Sequence, residues 1–93
     1  MYVHVSIHHP KPGKRDALID SMHRNGAAIT GAPGLVSVQT LYDAQQDVLM
    51  GLAIWESQAA WEASINLARA AVKDDPFDEW EAQDVQGFRF VDV

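Results

Sequence analysis

The sequence predicts an α+β fold in which a four-stranded antiparallel sheet is covered by helices on one face. Three observations predict this class. Several segments alternate between apolar and polar residues, as half-buried strands do. Two segments between them carry apolar residues at helical spacing, and one run, Val48–Ile54, is apolar throughout. The 93 residues are expected to form one domain, spanning positions 1–93.

The apolar run is the element around which the other segments are arranged. It is too short for an ordinary buried helix, and its valine and isoleucine favour a strand, here predicted over Val48–Glu56. Because the run lacks clean alternation, we expect this strand to be covered on both faces. Ser57 follows as a helix N-cap, so the strand leads directly into a helix.

The other elements follow from the same patterns. Alternation predicts three further strands, at Tyr2–His9, Leu35–Tyr42 and Asp84–Val93. Apolar stripes predict two helices, at Lys14–Ile29 and Ser57–Lys73. The second helix is expected to bury a stripe that includes Trp61, Ala68 and Ala71. A polar connector of hairpin length joins the second strand to the third.

The resulting order of elements, β-α-β-β-α-β, is that of the ferredoxin-like plan. Two helices cover only one face of a four-stranded sheet. The other face would then expose more apolar surface than a monomer usually tolerates. We therefore expect a homodimer with two-fold symmetry, in which the bare sheet faces pack together.

Composition narrows the classes of partner and chemistry. The chain has a net charge of −6 with seven basic residues, which is a poor match to nucleic-acid phosphates. It has no cysteine, which excludes disulfides, a thiolate nucleophile and cysteine metal ligands. No apolar run approaches membrane-spanning length and no export signal is recognisable, so we expect a cytoplasmic protein without a membrane partner. An acidic run over positions 74–81 is expected to be solvated.

Three short motifs, in their order and spacing, resemble the antibiotic biosynthesis monooxygenase (ABM) domain family. They are Lys11-Pro12-Gly13-Lys14, Ala32-Pro33-Gly34-Leu35 and Ile54-Trp55-Glu56-Ser57. The resemblance extends through Trp61. It implies a dimeric α/β barrel with one pocket per subunit, between the sheet and the helices. It also implies relatives that are cofactor-independent oxygenases of phenolic polycycles or quinols, or haem-degrading enzymes.

The sequence departs from the patterns of both groups of relatives. The active oxygenases and the haem-degrading enzymes place an asparagine on a pocket strand, whereas the only asparagines here, Asn25 and Asn66, lie on predicted helices. Ser6 stands at the first-strand position that the haem-degrading relatives use, and no histidine follows Gly26. Haem degradation is therefore not expected, and a reaction without a cofactor is what the resemblance to the family implies.

The predicted catalytic residues lie on the first strand. His4, Ser6 and His8 share one strand face, and alternation alone does not tell whether that face points at the helices. If it does, they form a polar patch in an apolar cavity, as small-molecule sites do. A histidine ordinarily has a pKa of about 6.5, which suits it to deprotonate a phenol whose phenolate then reacts with O₂. Alternatively, His8 sits at an exposed strand end and His4 is a hydrogen-bonded, half-buried residue.

A metal site is not expected, because His4 and His8 would lie about 13 Å apart along an extended strand. Trp55 and Trp61 are predicted to form an aromatic wall that stacks on a flat substrate. Alternatively, Trp61 anchors the core and Trp55 packs at the dimer seam. Arg89 would either form an ion pair across the dimer or contact an oxyanion.

Two functions remain open from the sequence. The first is a cofactor-independent monooxygenase that oxidises a small aromatic phenol or quinol. In it, His4 or His8 accepts the proton, and Ser6 and Asn25 orient the substrate through hydrogen bonds. The second is a non-catalytic dimer that binds a hydrophobic ligand or serves a stress response.

Overall fold

The computed structural model describes all residues, 1–93, and contains four strands and three helices. The strands are β1 (Tyr2–His8), β2 (Leu35–Asp43), β3 (Val48–Trp55) and β4 (Gln86–Val91). The helices are α1 (Arg15–Ile29), α2 (Gln58–Ala71) and the short α3 (Phe77–Trp80). Every predicted strand and helix is therefore present, with its ends shifted by no more than two residues.

The strands form one antiparallel sheet in the order β2-β3-β1-β4. The two central strands, β1 and β3, pair so that Tyr2 lies opposite Trp55 and Ser6 lies opposite Gly51. The α+β class and the ferredoxin-like arrangement are thus confirmed. The short α3 is an addition between α2 and β4.

The register shows which face of β1 lies beneath the helices. Tyr2 is buried, and its ring centroid lies 5.3 Å from that of Trp61 on α2. Because side chains alternate along a strand, His4, Ser6 and His8 project from the same face as Tyr2. The polar face of β1 is therefore the one that points at the helices.

The core lies between this sheet face and the two long helices. Its buried cluster consists of Tyr2, Ile29, Ala53, Trp55, Trp61 and Ala68. Trp55 has no exposed surface and shares the helix-covered face with Tyr2, so its predicted place at a dimer seam is wrong. Ala71 is exposed, because α2 ends there and the buried stripe continues at Val72 instead.

Local interactions set the ends of several elements. The Ala60 amide donates to Ser57 Oγ at 3.1 Å, which confirms the predicted N-cap of α2. Gly34, at the entrance to β2, has φ +86°, and a Cβ there would lie 2.5 Å from the Cβ of Ala60. Only glycine accommodates both this backbone conformation and this close approach.

The opposite face of the sheet has no helix over it. Apolar side chains from all four strands project from it, and Leu41, Phe88 and Phe90 are 45%, 43% and 54% exposed. The prediction that β3 is covered on both faces is wrong within one chain, because α1 and α2 lie on the same side of the sheet. No helix in the structure has the length and apolar character needed to cross a membrane.

Candidate functional site

A cavity of about 190 Å³ lies between the sheet and the helices. All of the predicted site residues line it: His4, Ser6, His8, Asn25, Trp55 and Trp61. Most of the remaining wall is apolar, with contributions from Met22, Ile29, Ala53, Ile65, Val72 and Phe77. The structure thus brings residues of β1, β3, α1 and α2 together at one site, while their chemical roles remain predictions.

The volume of the cavity limits what it can enclose. A protein cavity of about 150 Å³ holds one benzene molecule. The space here therefore matches a molecule of one or two aromatic rings, whereas a haem is much larger than the enclosed volume. Its mainly apolar wall with a few grouped polar side chains is typical of a small-molecule site.

At one end of the cavity, three side chains form a buried chain of hydrogen bonds. His8 Nδ1 lies 2.6 Å from Glu81 Oε2, and His8 Nε2 lies 3.0 Å from Ser6 Oγ. Against an ionised carboxylate, which only accepts hydrogen bonds, Nδ1–H is the donor, and Nε2 of a neutral imidazole then accepts the Ser6 hydroxyl proton. His8 and Glu81 are each 8% exposed, and a carboxylate buried to this degree requires such a partner.

The backbone after α3 holds Glu81 against the end of β1. The Glu81 amide donates to the Phe77 carbonyl at 2.8 Å, and the Ala82 amide donates to the His9 carbonyl at 2.7 Å. The His9 amide donates in return to Glu81 Oε1 at 3.2 Å. This pairing covers the strand end, so the alternative in which His8 is exposed is wrong.

Glu81 is the site residue that sequence reasoning missed. It was grouped with the acidic run after α2 and expected to be solvated. It lies 73 positions from His8, so no local pattern links the two. Only the pairing of the residues after α3 with the residues after β1 brings the carboxylate to the imidazole.

The other end of the row has a different environment around His4. The ring of His4 lies 5.6 Å from that of Trp61. Burial, followed by the positive charges of Arg89 and Arg69, lowers the pKa of His4 below its ordinary value. Arg89 lies over the Trp61 ring at 5.5 Å from its centroid, so its side chain is on the helix-covered face and not at a sheet-to-sheet seam.

Two further polar features face the cavity. The Asn25 side-chain amide donates to the Ala68 carbonyl at 3.4 Å, which ties α1 to α2. The indole N–H groups of Trp55 and Trp61 are buried and have no hydrogen-bond partner in the protein.

Arg69, on α2, also lines the cavity. No group of three or more histidine, cysteine, aspartate or glutamate side chains is arranged to hold a metal ion.

Comparison with known proteins gives a family and a set of similar folds. The family model described as "Antibiotic biosynthesis monooxygenase" matches residues 1–69. No curated protein matches the sequence.

Three solved structures illustrate the shared fold. PA3566 from Pseudomonas aeruginosa is 15% identical, with a TM-score of 0.80 over 99% of this chain and 93% of that one. Rv0793 from Mycobacterium tuberculosis is 15% identical, with a TM-score of 0.78 over 99% of this chain and 94% of that one. A structure described as an antibiotic biosynthesis monooxygenase is 14% identical, with a TM-score of 0.78 over 100% of this chain and 99% of that one. At these identities the likeness shows the fold alone.

Proposed function

The chain belongs to the antibiotic biosynthesis monooxygenase family, and from this premise we propose that it is a cofactor-independent monooxygenase of a small aromatic phenol or quinol. Family membership supports a monooxygenase-type function. One observation carries the finer proposal: the polar row of His4, Ser6 and His8 lies in a mainly apolar cavity sized for one or two rings. Such a site binds an aromatic ring and presents proton acceptors to its hydroxyl group.

The chemistry begins with loss of the phenolic proton to the polar row. The resulting phenolate is electron-rich and transfers electrons from a ring carbon to O₂, forming a C–O bond and a peroxide anion, which takes the proton back from the polar row to become a hydroperoxide. Loss of water from that hydroperoxide, which removes the hydrogen of the same carbon and breaks the O–O bond, leaves a carbonyl group on the ring. One oxygen atom enters the product, the other leaves as water, and the substrate itself supplies the electrons.

The far end of the cavity suits the ring and its developing negative charge. Trp61 offers an aromatic surface, and Trp55 closes the wall beside it. Arg69 and Arg89 place positive charge near His4, where it would stabilise a phenolate more than a neutral phenol. These groups support a substrate with a second oxygen atom at this end, as in a quinol.

We further propose that the enzyme is a cytoplasmic homodimer. The support is the bare sheet face, on which Phe88 and Phe90 stack with centroids 5.8 Å apart while remaining about half exposed. Sedimentation of the dilute protein should show a dimer, and replacing Phe90 with glutamate should yield monomers. A wild-type protein that sediments as a monomer would contradict this part of the proposal.

The activity is tested by O₂ uptake with a panel graded by size: hydroquinones, naphthalenediols and anthrones. We expect uptake with the one- and two-ring compounds and less with the three-ring anthrones. His23 is exposed on α1 and does not line the cavity, so His23→Ala is the matched control and should keep full activity. Absence of uptake with every compound would refute the enzyme.

A second function, ligand binding without turnover, is favoured by the mainly apolar cavity and by the lack of an asparagine on any strand that lines it. Such a cavity would hold a small aromatic molecule even if no reaction followed. Native mass spectrometry of protein purified from its own host separates the two functions. An unchanged bound compound supports binding, and an oxidised product supports the monooxygenase.

A further inference from the structure

We propose that Glu81, His8 and Ser6 form a proton relay in which the Ser6 hydroxyl, and not an imidazole, contacts the substrate. The inference rests on the proposed function for the identity of the substrate as a phenol. Ser6 is then the catalytic residue at the reacting atom, His8 is the final proton acceptor, and Glu81 is a positioning residue.

Both ring nitrogens of His8 already have hydrogen-bond partners, so neither is free to contact a substrate. Nδ1 is bonded to Glu81 at 2.6 Å and Nε2 to Ser6 at 3.0 Å. The ring is also 8% exposed. A substrate hydroxyl therefore reaches His8 only through the oxygen of Ser6, which lines the cavity.

Ser6 has no side chain beside it at the paired positions of the two neighbouring strands. Its partners in the two neighbouring strands are both glycines, Gly51 on β3 and Gly87 on β4. A Cβ at position 51 would lie 2.6 Å from Ser6 Oγ. Glycine inside a strand often marks close approach of a ligand, and here it leaves the serine hydroxyl uncovered on the cavity floor.

Glu81 positions the imidazole ring of His8. Glu81 has one oxygen on the imidazole and the other on the His9 amide, which fixes its orientation. It holds Nδ1 in the protonated tautomer and stabilises the imidazolium that forms when Nε2 takes a second proton. The same division of roles is found in serine-histidine-carboxylate sites on unrelated folds.

The transfer balances without any further reactant. The phenol O–H bond breaks as its proton passes to Ser6 Oγ, and the Ser6 O–H bond breaks as its own proton passes to His8 Nε2. Ser6 is unchanged at the end, His8 is an imidazolium bonded to the Glu81 carboxylate, and the substrate is a phenolate. No electron leaves the substrate in this step, so it can be observed without O₂.

The test uses 4-nitrophenol, whose phenol and phenolate differ in visible absorbance, with the full-length protein under nitrogen. Quenching of tryptophan fluorescence measures binding, and the visible spectrum measures ionisation of the bound probe. We expect the wild type to hold the probe as phenolate at a pH where the free probe is mostly neutral. Glu81→Gln should bind the probe but lower its phenolate-to-phenol ratio about tenfold or more.

Control variants separate the relay from a structural role of the buried pair. Glu79→Gln makes the same charge change at an exposed position of α3 and should leave the spectrum unchanged. Ser6→Ala keeps the pair of His8 and Glu81 and should still lose ionisation, whereas Ser6→Thr restores the hydroxyl and should recover it. These serine variants decide the matter even if Glu81→Gln does not fold.

Bound probe that stays equally ionised in Glu81→Gln and Ser6→Ala would overturn the relay and assign the ionisation to Arg69 and Arg89. The result is independent of the proposed oxygenase activity. Ionisation that follows the relay without O₂ uptake by any phenol would sustain the relay and refute the monooxygenase. O₂ uptake that survives loss of the relay residues would sustain the monooxygenase and refute the relay.

Discussion

His4 and His8 occupy the same face of the same strand, yet the protein surrounds them with opposite charges. His4 lies opposite Arg89 and near Arg69, and its pKa is lowered by burial and by these two cations. His8 lies 2.6 Å from the buried carboxylate of Glu81. A shared strand face thus brings both residues to the cavity, but the partners on other elements decide which one can take up a proton.

The two ends of the cavity therefore favour different parts of a substrate. The His4 end, with Arg89 over Trp61 at 5.5 Å, favours an aromatic ring and a negative oxygen. The His8 end favours proton removal, because its carboxylate stabilises the imidazolium. A phenol placed with its hydroxyl on Ser6 and its ring toward Trp61 would have its ring bound at the His4 end and its proton removed at the His8 end.

The largest expected effect is the contrast between two alanine substitutions. His8→Ala should lower kcat for O₂ uptake by about 100-fold or more, the usual contribution of a general base. His4→Ala should lower kcat by less than about tenfold, since His4 lacks a carboxylate partner, and should act mainly on KM. Steady-state kinetics on a naphthalenediol measures both. Equal losses of kcat in the two variants would contradict the claim that His8, and not His4, accepts the proton.

A smaller effect is expected from the two glycines that flank Ser6. Gly51→Ala should lower kcat/KM about tenfold, because its methyl group would displace the Ser6 hydroxyl that lies 2.6 Å away. Gly87→Ala is the matched control, since a Cβ there meets no atom within 4 Å. If both variants behave alike, the open floor around Ser6 has no catalytic role.

The smallest effect is the pH dependence of stability caused by His4. Its folded-state pKa lies below the ordinary value of 6.5, so between the two values the unfolded chain binds a proton that the folded chain does not. Stability is therefore complete above about pH 6.5 and declines as the pH falls toward the folded pKa. We expect Tm to fall as the pH is lowered across this window, and His4→Gln should flatten that part of the curve. A Tm that rises on acidification through the same window would show that the assigned direction is wrong.

Much of the fold could be predicted from the sequence, because it depends on local patterns. Alternation located β1, and the serine at position 57 located the start of α2, where Ala60 donates to it as expected. Which face of β1 lies beneath the helices could not be predicted, since a two-residue period separates two faces without showing which one the helices cover. Only the packing of Tyr2 against Trp61 decides it.

The part of the site that lies on β1 could also be predicted, because it too depends on a local pattern. His4, Ser6 and His8 share a strand face, so their grouping follows from periodicity. Glu81 joins them through a turn after α3 and a short pairing with the end of β1. Contacts between residues so distant in sequence leave no local pattern, and an acidic run resembles solvated surface until its packing is known.

The most direct test of the account follows the proton itself. Side-chain nitrogen-15 NMR can report the protonation of His4 and His8 separately, with and without 4-nitrophenol and without O₂. The account predicts that binding of the phenol converts His8 from the neutral Nδ1–H tautomer to the imidazolium while His4 stays neutral. Protonation of His4 instead, or a bound phenolate with His8 still neutral, would contradict it.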